Sequence, residues 1–188
     1  SIPISLGAAV MPLINMLDTF IVLRRLQDIA YTAREATQLF GQLSGMANTL
    51  VNLPQVVTVA IAVSIVPVIA EASEIKDLKS VRDNTQSAVK LALLVGLPAA
   101  VGLAALASPI MTLLFPDEPA TAGQVLFYLS FAVLFLTQLQ ALTGVLQGLG
   151  KPHIPVINLF VGAGFKLIIT YVLTGIPSIN IKGAAVGT

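Results

Sequence analysis

Cysteine is absent from this 188-residue chain, histidine occurs once, and only 10% of the residues are charged. The first absence removes disulfide frameworks, thiolate metal sites and cysteine nucleophiles, without identifying a compartment. The lone His153 follows Lys151 and Pro152 at the start of an apolar run, the place of an interfacial residue rather than of a metal ligand or proton relay. A net charge of +1 comes with no basic stripe interleaved with aromatics, which argues against nucleic acid as a partner. Acidic pairs are confined to loops, no glycine-rich phosphate loop follows a strand, and Ser, His and Asp do not group as a triad. Neither an enzyme, a metal site nor a resident cofactor is expected.

What the chain has in excess is apolar sequence. It is 56% hydrophobic, against about 45–50% for soluble domains, and its mean hydropathy is +0.91. Leu91 to Phe115 is a run of twenty-five residues without an ionisable side chain, and Ala36 to Ala70 and Pro119 to Gly150 are also charge-free. A helix needs roughly 20 apolar residues to cross a ~30 Å hydrocarbon core, and only a helix satisfies its own backbone where water is absent. The pattern predicts an all-α, polytopic membrane helical bundle, a single transmembrane lobe with spans at about 4–23, within 40–70, 89–115, 124–149 and 154–173. Arg24 to Glu35 and Glu71 to Asp83 read as solvated connections, and Phe115 to Pro119 and Gly148 to Pro152 as turns. The opening SIPISLGAAVMPL and the closing INIKGAAVGT lead to the expectation of an internal stretch of a longer, transporter-sized protein. With spans alternating in direction, Lys76, Lys79, Arg82, Lys90 and Lys151 fall on one side and Arg24, Arg25, Arg34 and Lys182 on the other, a slight vote for a cytoplasmic Glu71 to Asp83 connection.

Polar residues inside the spans are ordered. Gly41, Gly45, Asn48, Asn52 and Gln55 recur at helical spacing on one face, which either bonds to other helices or walls a wet cavity; Gly41 and Gly45 would permit close helix approach. Pro54 sits within that run and predicts a bend near Leu50. The fourth span repeats the design with Thr137, Gln140, Gly144, Gln147 and Gly148, where packing again competes with cavity lining.

Two charges lie deep. Asp18 is about fourteen residues into its span and Lys166 about twelve into a parallel one, so at ~1.5 Å per residue they reach similar depth and could pair. An intramembrane charge costs about 2.5–3.5 kcal/mol on insertion scales, so such groups usually have a partner or a function. A fixed bridge, a coupling element and a snorkelling Lys166 are the three readings.

The runs LDTFIV around Asp18, ATQLFGQLSGMANTLVNLP from Ala36 to Pro54, AVSIVPVIAEA from Ala62 to Ala72 and LQGLGKPHIPVINL from Leu146 to Leu159 carry a resemblance. Together they resemble the polysaccharide-biosynthesis, stage V sporulation protein B branch of the multidrug/oligosaccharidyl-lipid/polysaccharide exporter superfamily. The resemblance implies a MATE-like fold of about fourteen helices in two pseudo-symmetric lobes, with this chain as part of the C-terminal lobe. It implies alternating-access export of a lipid-linked oligosaccharide or peptidoglycan precursor across the bacterial cytoplasmic membrane. Membrane lipids and the N-terminal lobe of the same protein are then its partners. In the lipid II flippases of that superfamily an Asp-Thr pattern is implicated in sodium binding; Asp18 and Thr19 match it, whereas Gly162, Gly164 and Lys166 stand where further ligands are expected. A coupling cation, sodium or proton, is therefore an open expectation, with the Lys166 ammonium as a possible stand-in. A stretch similar to Asn-Arg-Leu-x-x-Leu-Pro there supplies an Arg for pyrophosphate, and Thr49 occupies that position here, leaving Arg24, Arg25 or the N-terminal half as sources of basic charge.

The candidate substrate cavity is thus Asn48, Thr49, Asn52, Gln55, Gln140 and Gln147, the coupling pair Asp18 and Lys166, and the hinge Pro54. A cation-coupled multidrug exporter on the same fold and a non-transporting membrane scaffold are the alternatives.

Overall fold

The computed structural model describes residues 2–28, 31–115, 119–174, 181 and 184, with side chains on the first helix from residue 15 and on the sixth from residue 122. The described residues form α1 (Ile2–Asp28), α2 (Ala33–Gly41), a π-helical stretch (Gln42–Ala47), α3 (Asn48–Glu74), α4 (Leu78–Ala105), α5 (Ala107–Leu114), α6 (Pro119–Gly148) and α7 (His153–Thr174). Four helical stretches, 33–74, 78–105, 122–148 and 153–174, are long and apolar enough to cross a membrane, and α1 covers the first expected span over its 27 residues.

The ends of these helices follow from local chemistry. The Thr32 hydroxyl accepts from the Glu35 N–H, while the Glu35 carboxylate accepts from the Thr32 N–H at 2.8 Å, a reciprocal cap that starts α2. At the end of α6, Gly150 takes φ +70°, the Gly150 N–H donates to the Gln147 carbonyl and the Lys151 N–H to the Leu146 carbonyl; this left-handed cap turns the chain into α7. The same cap closes α3, but with Lys76 at φ 56° instead of glycine. Asp77 then starts α4, its carboxylate accepting from the Ser80 N–H at 3.0 Å and the Ser80 hydroxyl at 2.7 Å. The expected solvated connection from Glu71 to Asp83 is therefore a tight turn over 75–77, because two caps fit back to back. The expected span at 89–115 is broken at Leu106 into α4 and α5.

α3, α4 and α6 form the packed centre. In a bilayer, water expulsion contributes little between helices, so close backbone approach decides which faces meet. Ala88, Ala92, Gly96 and Ala100 supply such a face at spacings of four on α4, and Gly96 lies directly against the Thr137 side chain of α6. α7 is the exception. It packs chiefly on α1, and the side chains it buries are Thr170 and Thr174, while Phe165 and Ile168 face outward.

Candidate functional site

α1 and α7 run parallel, since Asp18 meets Lys166 and, further along both helices, Arg25 meets Tyr171. Lys166 Nζ lies 3.1 Å from Asp18 Oδ2, with the two side chains 22% and 11% exposed. The other carboxylate oxygen, Asp18 Oδ1, is buried without a hydrogen-bond partner among the described residues. Thr19, beside it, turns its hydroxyl to the Asn15 carbonyl at 2.7 Å. One and a half to two turns on, Arg25 forms a second clasp: its Nε donates to the Tyr171 carbonyl at 3.0 Å and its guanidinium lies 4.3 Å from the Tyr171 ring centroid. Arg25 also reaches Asp28 at 3.4 Å, so it is engaged within the lobe, whereas Arg24 is exposed beside the Phe20 ring.

Thr170 and Thr174 continue the Lys166 face at spacings of four. Both are fully buried and neither hydroxyl has a hydrogen-bond partner among the described residues. The sequence reading passed over them, although Lys166, Thr170 and Thr174 at i, i+4 and i+8 mark one polar face of an apolar helix.

The two amide and glycine stripes have different surroundings. On α3, Asn52 is exposed and Asn48 and Gln55 are half-buried; the Gln55 amide donates to the Asn52 side-chain oxygen at 3.0 Å. Thr49 is exposed and its hydroxyl bonds back to the Gly45 carbonyl. Gly41 and Gly45, expected to admit a neighbouring helix, have open space where a Cβ would stand, so among the described residues they are not packing positions. The reason lies in the π-helical stretch, where the Asn48 N–H donates to the Leu43 carbonyl five residues back. A π turn takes in one residue more than an α turn, so the α spacing that aligned Gly41 and Gly45 with Asn48 does not hold across it. The departure from α geometry thus falls upstream of Leu50, while α3 runs without interruption through Pro54 and Pro67.

On α6 the expected single face divides. Thr137, Gly144 and Gly148 are buried, Gln140 is half-buried and Gln147 is exposed. A Cβ on Gly144 would stand 2.5 Å from the Ala62 carbonyl oxygen, and one on Gly148 would stand 2.7 Å from the Val66 carbonyl oxygen. Those three residues are therefore the seam by which α6 packs on α3 and α4, not a cavity wall. Gln138, outside the expected stripe, ties α6 to the Val89 carbonyl of α4 at 3.4 Å.

A family model described as MatE matches residues 3–172. The chain belongs to the MatE family. Stage V sporulation protein B of Bacillus subtilis is 33% identical over 152 residues, which cover 80% of this chain and 29% of that protein. Lipid II flippase MurJ of the same organism is 23% identical over 180 residues, 94% of this chain and 32% of the relative. An uncharacterized membrane protein of Methanocaldococcus jannaschii is 26% identical over 168 residues, covering 89% and 33%. The MatE chain spans about a third of the length of the curated relatives it matches. No solved structure matches it. Family, composition and helix lengths agree on a stretch of a multi-pass membrane protein, consistent with the bacterial inner membrane.

Proposed function

We propose that the protein containing this chain flips a lipid-linked oligosaccharide or peptidoglycan precursor across the cytoplasmic membrane by alternating access, with the chain as part of the C-terminal lobe. The observation that carries the reading is the amide stripe of Asn48, Asn52 and Gln55, with Asn52 exposed and Asn48 and Gln55 half-buried, which flanks the side of α3 that packs on α6. Lipid offers such amides no partners, so they need a second lobe, water or a polar headgroup. Membership of the MatE family, and relatives named for sporulation and for lipid II flipping, support this reading.

The Asp18–Lys166 pair is the coupling element in this proposal. A mobile cation fits poorly there, because an ammonium already holds one carboxylate oxygen at 3.1 Å and would repel a second positive charge. Lys166 acts as a tethered cation, and the unsatisfied Asp18 Oδ1 is an acceptor left for another conformation to satisfy. The test is flipping of a fluorescent lipid-linked sugar by the full-length protein in proteoliposomes. Asn52→Leu with Gln55→Leu is expected to lower the rate at least tenfold while leaving expression intact, and removal of a sodium gradient to leave the wild-type rate within twofold. Normal flipping by the double Leu variant overturns the cavity, and an obligatory sodium gradient overturns the tethered cation.

A further inference from the structure

α4 carries a groove that the transport reading does not use. It is a shallow hollow of about 430 Å³ on one face of α4, lined by Lys90, Leu93, Leu94, Leu97 and Pro98. The groove lies away from the packed seam: Lys90, Leu94 and Leu97 are exposed, and Ala88, Ala92 and Gly96 on the other side of α4 are buried. Lys90 is the last charged residue before the charge-free run that begins at Leu91, so its ammonium stands where hydrocarbon gives way to headgroups. No acidic side chain lines the groove, and Lys90 makes no ion pair among the described residues. Further out on α4, Lys79 stands one turn before the acidic Asp83, the Asp77 carboxylate accepts from Ser80, and Arg82 is exposed.

We propose that this groove is a binding site for an anionic membrane phospholipid, with the phosphate on Lys90 and the upper part of one acyl chain against Leu93, Leu94 and Leu97. A single cation at the end of an apolar helix face matches the two halves of such a lipid in charge and polarity. A zwitterionic lipid carries its own cation and gains little from Lys90. One lysine beside an anionic lipid headgroup corresponds to about a fivefold preference.

The test uses the full-length protein solubilised with equal amounts of phosphatidylglycerol and phosphatidylcholine, bound lipid being counted by native mass spectrometry. Wild type is expected to retain phosphatidylglycerol in about fivefold preference. Lys90→Gln is expected to abolish the preference, Leu94→Trp to lower occupancy by filling the hollow, and Lys79→Gln to change it less than twofold. A photo-crosslinking residue at position 94 is expected to capture lipid. Equal retention of both lipids by wild type, an equal effect of Lys79→Gln and Lys90→Gln, or crosslinking from position 94 to another segment of the protein overturns the site; the last outcome makes the groove a seat for the rest of the chain.

Discussion

Gly41 and Gly45 lie on the stretch leading into α3, and Gly144 and Gly148 on α6; both pairs are spaced by four, yet one faces open space and the other meets backbone. The difference is made by the partner helix. α6 runs parallel to α3, its Gly144 and Gly148 pass Ala62, Val66 and Ile69 in turn, and any side chain there would collide with the main chain of α3. Across the first pair the π-helical stretch shifts the register, and no described helix approaches. A small-residue repeat therefore marks permission for close approach, and only the opposing backbone turns permission into packing.

The comparison breaks most visibly at Gly144. Gly144→Leu places carbon where the Ala62 backbone stands and is expected to destabilise the lobe by about 3 kcal/mol or to prevent its assembly, read as lost monodispersity and a lower melting temperature in detergent. Gly41→Ala, with open space around its Cβ, is expected to raise stability by about 0.5–1 kcal/mol through helix propensity. Gly41→Leu that folds but fails in transport would sharpen the contrast by locating the second lobe at that face. Equal destabilisation at both positions would break it.

The next effect concerns the α1–α7 seam, which is held by polar clasps where the α3–α6 seam is held by backbone approach. Asp18→Asn or Lys166→Met leaves one charge buried without its partner and is expected to cost about 3–5 kcal/mol. The double variant is expected to recover at least half of that loss, as a thermal-unfolding cycle would report. Additive losses would mean that each charge has another partner.

The α6 seam and the α1–α7 seam were not equally legible in the sequence. The apolar runs and the turn at Gly150 follow from patterns confined to a few neighbouring residues, whereas the break at Leu106 that divides the expected span at 89–115 into α4 and α5 did not show in the apolar pattern. The proximity of Asp18 and Lys166 was accessible because depth in a membrane is a one-dimensional coordinate, which residue counting supplies. The fate of each small-residue stripe was not accessible, since it depends on which helix lies opposite. The division of α6, with Thr137, Gly144 and Gly148 packed and Gln147 exposed, turns on about 60–100° of helix rotation, and residue type does not say where along that arc the partner helix ends. The π-helical stretch was missed because QLSGMA has no local signal that separates it from an α-helix.

A smaller effect, of opposite sign, is expected inside the α1–α7 seam. Thr170 and Thr174 bury hydroxyls without hydrogen-bond partners among the described residues, a desolvation cost of about 1–3 kcal/mol each that an isosteric methyl would not carry. Thr170→Val is therefore expected to raise the melting temperature of the purified full-length protein in detergent, and Thr170→Val with Thr174→Val to raise it further. Destabilisation would reveal a donor or water that reaches the seam, and the α1–α7 contact would then be wetter than the α3–α6 one.

The smallest expected effect separates the two caps at the membrane surface, one built on glycine at Gly150 and one on Lys76 followed by Asp77. Lys76 at φ 56° carries the ~1–2 kcal/mol penalty of a left-handed L-residue, so Lys76→Gly is expected to stabilise by about 1 kcal/mol. Asp77 acts in the other direction. Its bonds from the Ser80 N–H and hydroxyl hold its carboxyl below the ordinary 3.8, and a carboxylate favoured in the folded state stabilises above its unfolded pKa and loses that contribution as pH falls through the lower, folded value. Stability of the wild type is thus expected to decline on acidification below about pH 4 more than that of Asp77→Asn, which keeps a capping oxygen without the charge. Because Asp77 is only half-buried at the end of a helix, the gap between the two melting curves should be small and should narrow further in high salt. Parallel curves across that pH window would assign the cap to hydrogen-bond geometry alone.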